Sequence, residues 1–122
     1  MPRAGLVASG RMPLRAYCRP SSLEQALGRL ATGGWTVVAG CTDYYCRPDA
    51  RPLADDVLDL TGLGEVRGIA ETEACVRIGA LTTWSELAAA ALPAQFDALR
   101  EAARQVGGVQ IQNSGSIGGN LC

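Results

Sequence analysis

The apolar residues in the first part of the chain follow a helical period. One predicted helical face is formed by apolar residues at i, i+3, i+4 and i+7, which are Leu23, Ala26, Leu27 and Leu30. The capping-box pattern Ser21-Ser-Leu-Glu24 predicts that Ser21 caps this helix and that Glu24 reaches back to it. Gly33-Gly34 predicts the end of the helix.

Short runs of β-branched and apolar residues predict strands on either side of this helix and after it. The predicted strands cover residues 15–18, 35–39, 56–60, 65–71 and 74–79. Thr61 to Gly64 predicts a turn, and the last two strands are expected to pair around a turn near Thr72-Glu73.

The pattern becomes helical again near the C-terminal end. Thr83-Trp-Ser-Glu86 is a second capping box, and Pro93 is expected to break the helix that it begins. A third helix is predicted from about Phe96 to Val106, and Gly107-Gly108 ends it. The residues expected to face inward are Trp84, Leu87, Ala88 and Ala91 on the second helix and Leu99, Ala103 and Val106 on the third. Together the elements predict an α+β domain.

Composition and charge narrow the classes of function. The chain has 122 residues, 48% of them hydrophobic, which suits one modest globular domain, and no apolar run approaches the roughly 20 residues that span a bilayer. Its 11 basic residues and 12 acidic residues nearly balance, so no basic patch for nucleic acid or an anionic membrane is expected. An intracellular, cytoplasmic protein is expected, because the apolar N-terminal run is too short for a signal peptide.

The side chain that most often serves as a general base or a metal ligand is missing from the chain. There is no His, which removes the commonest general base and metal ligand, so the chemistry is expected to come from a bound cofactor or from outside this chain. We therefore expect no catalytic residue and no metal site. The five cysteines at 18, 41, 46, 75 and 122 are odd in number and contain no CxxC, which favours free thiols in a reducing compartment. A small cysteine-based metal or thiol module is the alternative.

Two glycine-rich stretches are the candidates for ligand binding. Gly40 to Tyr45 follows a predicted buried strand, and Ser114 to Asn120 lies near the C-terminal end. Small residues and glycines allow consecutive N–H groups to point at one anion, as a phosphate site requires. Neither stretch matches a dinucleotide fingerprint or a P-loop, and each alone is also typical of an ordinary turn.

Four stretches in the same order resemble one family. They are 37–43 (similar to VAGGTDL), 57–60 through 68–69, 77–83 with 86–87 (similar to IGALTTxxEL), and 104–107 with 110–121 (similar to QIRNxGTIGGNL). From about Leu14 onward the chain resembles the front part of the FAD-binding medium subunits of molybdenum hydroxylases, which include xanthine and carbon monoxide dehydrogenases. The resemblance implies a PCMH-type FAD-binding fold.

The resemblance also implies a domain organisation. Residues 1–12 are expected to be a flexible tail, 13–62 the first FAD-binding subdomain, and 63–122 the start of a second subdomain that is incomplete here. The chain is accordingly expected to be an N-terminal fragment of the full subunit.

Twelve FAD-binding residues follow from matching the motifs. Backbone N–H groups of the first stretch would cradle the FAD diphosphate, and the second stretch would close on it from the other side. The residues are Ala39, Gly40, Cys41, Thr42, Asp43, Tyr44, Tyr45, Ser116, Ile117, Gly118, Gly119 and Asn120. Three positions depart from the family pattern. Ser116 stands where the family commonly has Thr, which keeps the hydroxyl. Cys41 replaces a glycine and would be strained at a positive φ, and Gln112 replaces a common Arg.

Other readings apply to some side chains near these stretches. Asp43 is expected either to bind a ribose or ribityl hydroxyl or to cap a short helix, and Tyr44 and Tyr45 are expected mainly to pack. Trp35 and Trp84 lie on apolar faces and are expected to anchor the core.

The resemblance implies the function of an electron-transfer flavoprotein component. FAD would receive electrons from iron–sulfur centres on a partner and pass them to an acceptor, with a molybdopterin-binding large subunit and a 2Fe–2S small subunit as partners. The alternative is a truncated, non-catalytic remnant that binds FAD weakly or not at all.

Overall fold

The computed structural model describes residues 16–41 and 56–122. The predicted flexible tail at 1–12 and the predicted ligand residues Thr42 to Tyr45 therefore lie outside the described residues, and so does Cys46. The predicted subdomain boundary after Gly62 stays a prediction.

The first part of the fold is a parallel sheet of three short strands. The strands are β1 (Tyr17–Cys18), β2 (Trp35–Val38) and β3 (Asp56–Asp59), in the order β1-β3-β2. Val37 pairs with Leu58, which is fully buried in the central strand. The predicted strands at 35–39 and 56–60 are thus confirmed within one residue, and a two-residue strand forms inside the predicted run at 15–18. Parallel strands place their carboxyl ends on one edge of the sheet, where the first glycine-rich stretch begins.

Helix α1 (Leu23–Ala31) begins one residue later than the capping box predicted. The cap is Ser22, whose Oγ accepts from the Gln25 N–H at 3.3 Å. Ser21 instead donates its N–H and hydroxyl to Gln25 Oε1, each at 3.2 Å, so Ser21 is not the cap and Glu24 does not reach back to it. Ser21 is followed three residues later by Glu24, and Ser22 is followed three residues later by Gln25. The structure uses Ser22 and the Gln25 N–H for the cap.

The end of α1 agrees with the prediction, but the burial of its apolar face does not. Gly33 and Gly34 have φ of 73° and 77°, which ends the helix as predicted. Ala26 is 2% exposed and packs with Leu63 and Leu81. The three leucines of the predicted face are only partly covered, at 38% exposed for Leu23, 56% for Leu27 and 39% for Leu30. Of the four apolar residues on this face only Ala26 is buried, and its small side chain lets the helix pack closely against Leu63 and Leu81.

The middle of the chain is a pair of 3₁₀ turns followed by a hairpin. The 3₁₀ turns are Leu60–Gly62 and Gly64–Val66, and the hairpin strands are β4 (Ile69–Glu71) and β5 (Val76–Ile78), paired antiparallel. The predicted strand at 65–71 is therefore shorter than expected. Gly68 has φ of 109°, a conformation outside the strand region that separates the 3₁₀ turn from β4.

Two helices form in the second half, and the first begins at the predicted capping box. In α2 (Trp84–Ala89), the Thr83 Oγ1 accepts from the Glu86 N–H at 3.2 Å and Glu86 Oε2 accepts from the Thr83 N–H at 2.8 Å, which confirms the reciprocal capping box. Helix α3 (Asp97–Gln105) follows a 3₁₀ turn at Ala94–Phe96.

The second glycine-rich stretch is more regular than expected. It forms two short helices, α4 (Val109–Ser114) and α5 (Ile117–Leu121), separated by Gly115-Ser116. Gly107, with φ of 56°, ends α3 as predicted. The Ser116 Oγ accepts from the Gly119 N–H at 3.1 Å, and this cap explains why a glycine-rich segment becomes a helical turn. None of the helices that the structure describes is long and apolar enough to cross a membrane.

The buried side chains form two clusters. The first contains Trp84, Leu87, Leu92 and Ala103, and the second contains Ala26, Leu63 and Leu81. Trp84 is thus a core anchor, as predicted, while Ala91 is exposed and Leu92 takes the buried position beyond α2. Trp35 differs from the prediction because it is only half-buried. Its ring lies under the Arg29 guanidinium, whose carbon is 5.8 Å from the ring centroid.

Candidate functional site

The first glycine-rich stretch leaves β2 through two consecutive left-handed residues. Gly40 has φ of 68° and Cys41 has φ of 54°. The condition that would strain Cys41 is therefore met, because a side chain in this region crowds the following carbonyl. Neither the Gly40 N–H nor the Cys41 N–H has an acceptor among the described residues, so both are open donors there.

The two glycine-rich stretches meet at Gly40. A methyl group on Gly40 would place its carbon 2.0 Å from the Ser114 carbonyl oxygen and 2.9 Å from the Ser114 carbonyl carbon. A methyl group on Gly119 would lie 4.0 Å from the Ala39 carbonyl oxygen, which makes a second contact between the two stretches. The structure thus brings together two segments more than seventy positions apart in sequence.

The backbone N–H groups of the second stretch are used inside the protein. The Ile117 N–H donates to the Thr82 carbonyl at 2.9 Å and the Gly118 N–H to the Ala80 carbonyl at 2.8 Å. The Asn120 N–H donates to the Ser116 carbonyl at 3.1 Å, and the Gly119 N–H is the donor in the Ser116 cap. These four groups are not free to form a phosphate nest, unlike the Gly40 and Cys41 N–H groups, which have no acceptor among the described residues.

The glycines of the second stretch serve close packing instead. A methyl group on Gly118 would lie 2.8 Å from both the Cβ and the carbonyl oxygen of Ala80. Ser116 is buried, and Ile117 packs against the first core cluster. Asn120 is exposed. The second stretch is therefore a backbone wall set tightly against its support, with the first stretch lying across it.

A polar cluster at the carboxyl ends of β1 and β3 was not predicted from the sequence. The Tyr17 hydroxyl donates to Asp59, and the Thr61 N–H and hydroxyl donate to the other Asp59 oxygen at 2.9 and 2.7 Å. The Arg19 Nε donates to Thr61 Oγ1 at 3.1 Å. The only signal in the sequence was the position of Asp59 and Thr61 at the end of a predicted strand, since Tyr17 and Arg19 lie about forty residues away.

This cluster influences the thiol beside it. Burial raises the pKa of Cys41, and the nearby negative charge of Asp59 raises it further. Burial also raises the pKa of Asp59, but the hydrogen bonds from Tyr17 and Thr61 outweigh it, so that the net pKa of Asp59 lies below its ordinary value. Cys41 is therefore a protonated thiol at neutral pH and a poor nucleophile.

The cysteines give no support to a metal site within the described residues. Cys18, Cys41, Cys75 and Cys122 are free thiols, and no three metal-ligating side chains come together in 16–41 and 56–122. Within the described residues, the candidate ligand site is therefore the junction of the two glycine-rich stretches.

Comparison with known proteins shows which family the chain resembles. Residues 10–122 match the model of the FAD binding domain in molybdopterin dehydrogenase. The chain is 34% identical over 116 residues to the nicotinate dehydrogenase FAD-subunit of Eubacterium barkeri, covering 86% of this chain and 37% of that protein. It is 32% identical over 111 residues to the xanthine dehydrogenase FAD-binding subunit of Escherichia coli O157:H7, covering 88% of this chain and 38% of that protein.

Solved structures share the fold. The carbon monoxide dehydrogenase of Hydrogenophaga pseudoflava superposes with a TM-score of 0.76 at 28% identity, over 89% of this chain and 39% of the matched chain. The quinoline 2-oxidoreductase of Pseudomonas putida 86 gives a TM-score of 0.78 at 21% identity, over 89% of this chain and 39% of the matched chain, which shows the fold alone.

The fold and the comparisons define a flavin-binding domain of the α+β class. The chain belongs to the family of FAD-binding domains of molybdopterin dehydrogenases, and its cofactor is FAD. The predicted family, fold class and cofactor are thereby confirmed. The chain spans less than two-fifths of the length of the curated relatives that it matches.

Proposed function

We propose that this chain holds the diphosphate of FAD at the junction of its two glycine-rich stretches and serves as the FAD-binding, electron-transfer component of a molybdenum-containing hydroxylase or dehydrogenase. The observation that carries the proposal is the backbone contact between Gly40 and Ser114. It makes one site from the two segments that the family resemblance assigns to FAD.

The residues at the junction fit a diphosphate on chemical grounds. The Gly40 and Cys41 N–H groups are donors without acceptors in the described part of the chain, and the left-handed backbone at both positions turns consecutive N–H groups toward one side. Ala39 and Thr42 to Tyr45 are proposed to continue this cradle. A diphosphate requires clustered donors that no protein carbonyl already occupies, and within the described residues Gly40 and Cys41 meet this condition.

The second stretch is proposed to contribute shape rather than donors. Because the N–H groups from Ile117 to Asn120 are bonded within the protein, we assign to Ser116–Asn120 the role of a wall that the ligand lies against. Glycine at 118 and 119 keeps this wall free of side chains, so that a ligand approaches the backbone closely.

The chemistry of the site is proposed to be that of the flavin. Bound FAD supplies the redox chemistry by which electrons from iron–sulfur centres on a partner subunit reach an acceptor. The chain's own residues bind and orient it, and none is assigned an acid–base role. The carbon monoxide dehydrogenase relative is called a medium chain, which supports a complex with a molybdopterin-binding large subunit and a 2Fe–2S small subunit.

A titration of the 122-residue chain with FAD tests this function. Flavin fluorescence and visible absorbance are followed while FAD is added to purified protein, and saturable binding of one FAD per chain is expected. The Gly40→Ala variant is expected to lose binding because the added methyl group separates the two stretches. Gly28→Ala is the matched control, since Gly28 lies in α1 with nothing within 4 Å of the added carbon, and it is expected to bind FAD as the wild type does.

Three results would contradict the proposal. Folded wild-type protein that binds no FAD would support the non-catalytic remnant. Stoichiometric zinc or iron in the purified protein would support the cysteine module. Equal FAD affinity in Gly40→Ala and wild type would place the ligand somewhere other than this junction.

A further inference from the structure

The second glycine-rich stretch is held in place by a neighbouring segment of the chain. The segment Ala80–Trp84 runs antiparallel to Gly115–Gly118, with Thr83 opposite Ser116. Three hydrogen bonds join the two segments: the Trp84 N–H to the Gly115 carbonyl at 3.2 Å, the Ile117 N–H to the Thr82 carbonyl at 2.9 Å, and the Gly118 N–H to the Ala80 carbonyl at 2.8 Å. The position of the proposed FAD wall is thus set by the position of Ala80–Trp84.

One buried side chain bonds the supporting segment to the turn before β4. Thr82 is fully buried, and its Oγ1 accepts from the Gly68 N–H at 3.0 Å and donates to the Gly68 carbonyl at 3.1 Å. The hydroxyl therefore satisfies both backbone groups of one residue, in the left-handed turn before β4. The hydroxyl is the only polar group of the Thr82 side chain, and both of its hydrogen bonds are made to Gly68.

A second set of bonds reaches the same turn from the neighbouring positions. The Leu81 N–H donates to the Val66 carbonyl at 2.9 Å. The Arg67 guanidinium bonds Glu86, whose carboxylate also accepts from the Thr83 N–H. The turn, the supporting segment and the second glycine-rich stretch form three adjacent layers of backbone. The Thr82 hydroxyl is the buried side-chain link between the first two layers, and the Thr82 carbonyl is one of three backbone links to the third.

We propose that Thr82 is a positioning residue for the FAD site, an inference that rests on the proposed function. Its buried hydroxyl helps to fix the Thr82 carbonyl that receives the Ile117 N–H, and thereby sets how closely Ser116–Gly119 approaches the first stretch at Ala39. Because Thr82 has no exposed surface, it touches no ligand and acts only through the backbone of the second stretch.

The test compares three variants of the 122-residue chain. Thr82→Val removes the hydroxyl with little change in shape, and Thr82→Ser keeps the hydroxyl and removes a methyl group. Leu92→Val trims a buried side chain of the first core cluster and controls for a general loss of stability. Hydrogen–deuterium exchange of the Ile117 and Gly118 amides is measured without FAD, and FAD affinity is measured by fluorescence titration well below the unfolding temperature.

The expected results separate positioning from stability. In Thr82→Val, exchange at Ile117 and Gly118 is expected to accelerate about tenfold relative to the amides of α2. Its FAD dissociation constant is expected to rise about tenfold, while Thr82→Ser and Leu92→Val stay within about threefold of wild type.

Two outcomes would overturn the inference. Unchanged exchange at Ile117 in Thr82→Val would show that the hydroxyl does not hold the second stretch. Accelerated exchange with wild-type FAD affinity would show that the stretch need not be held for binding. A wild-type chain that binds no FAD would instead defeat the proposed function, and the exchange measurement distinguishes that failure because it needs no ligand.

Discussion

The Gly40 backbone lies so close to the Ser114 carbonyl that no side chain fits between them. The contact joins the end of β2 to the end of α4, and it involves backbone atoms on both sides. Nothing in it can move aside by a rotamer change, in contrast to a contact with a flexible side chain. The two stretches therefore contact each other without a ligand, and we propose that this contact lowers the cost of ordering them when FAD binds.

The first prediction concerns the stability cost of a side chain at this contact. Gly40→Ala introduces a 2.0 Å clash with backbone at a residue whose φ is 68°, so both sterics and conformation oppose it. We expect the free energy of unfolding to fall by about 3 kcal/mol or more, in the range of severe overpacking combined with backbone strain. Urea denaturation followed by circular dichroism measures this change.

Gly28→Ala is the reference for that experiment. Gly28 lies inside α1 in open space, and alanine there is expected to raise the free energy of unfolding by about 0.5–1 kcal/mol. Similar stabilities for the two variants would show that the close approach of Gly40 to Ser114 does not exist in solution.

The second prediction concerns the neighbouring residue, Cys41. A cysteine at φ of 54° is strained, and glycine relieves the strain at the expense of a more flexible unfolded chain. We expect Cys41→Gly to raise the free energy of unfolding by about 0.5–1 kcal/mol after this offset. Cys41→Ala keeps the strained backbone and loses the sulfur, so it is expected to give no gain. A stabilisation by alanine equal to that by glycine would mean that φ at this position is not the cause.

The helix caps show what the sequence predicts well and what it does not. The capping box of Thr83 and Glu86 was predictable because both partners lie within one helical turn, where spacing alone determines the geometry. The α1 cap was wrong by one residue because two adjacent serines offered equivalent local solutions. Local patterns predict that a cap exists better than they predict which residue supplies it.

Contacts between distant residues were predictable only through the family motifs. No periodicity connects Gly40 with Ser114, and the expectation that their stretches meet came from the resemblance. The hydrogen bond between Tyr17 and Asp59 links residues 42 positions apart, of which only Asp59 lies in a family motif, and it was missed. The hydrogen bonds between Thr82 and Gly68 were missed too, although both residues lie in family motifs, because a threonine in a capping region has no sequence feature that marks it as buried.

The third prediction concerns the reactivity of the thiols. The pKa of Cys41 lies above its ordinary value of 9.0, because of burial first and the charge of Asp59 second. At pH 7 its thiolate fraction is therefore smaller than that of an ordinary cysteine, and the thiolate is the species that alkylates. We expect iodoacetamide to modify exposed Cys75 and Cys122 before Cys41, as measured by mass spectrometry of tryptic peptides. Modification of Cys41 at the rate of Cys75 in folded protein would contradict the assigned environment.

The fourth prediction concerns stability in acid. Burial raises the pKa of Glu86, but hydrogen bonds from the Thr83 N–H and the Arg67 guanidinium outweigh it, and the net pKa lies below its ordinary value of 4.5. A carboxyl whose pKa is lowered by folding stabilises the native state at neutral pH, where it is ionised in both states. That stabilisation is lost as the pH falls from the unfolded-state pKa through the lower native one, because protonation then favours the unfolded chain.

Glu86→Gln isolates this contribution, since glutamine keeps an oxygen acceptor for the Thr83 N–H but carries no titrating proton. We expect the variant to be less stable than wild type at pH 7 and the difference between the two to shrink as the pH is lowered below about 4.5. The measurement is the urea midpoint of both proteins across that range. A gap between them that is the same at every pH would show that the Arg67–Glu86 pair and the Thr83 cap do not depend on the charge of the carboxylate. The support beneath the second glycine-rich stretch would then rest on uncharged bonds, which are those of Thr82 with Gly68 and of Leu81 with Val66.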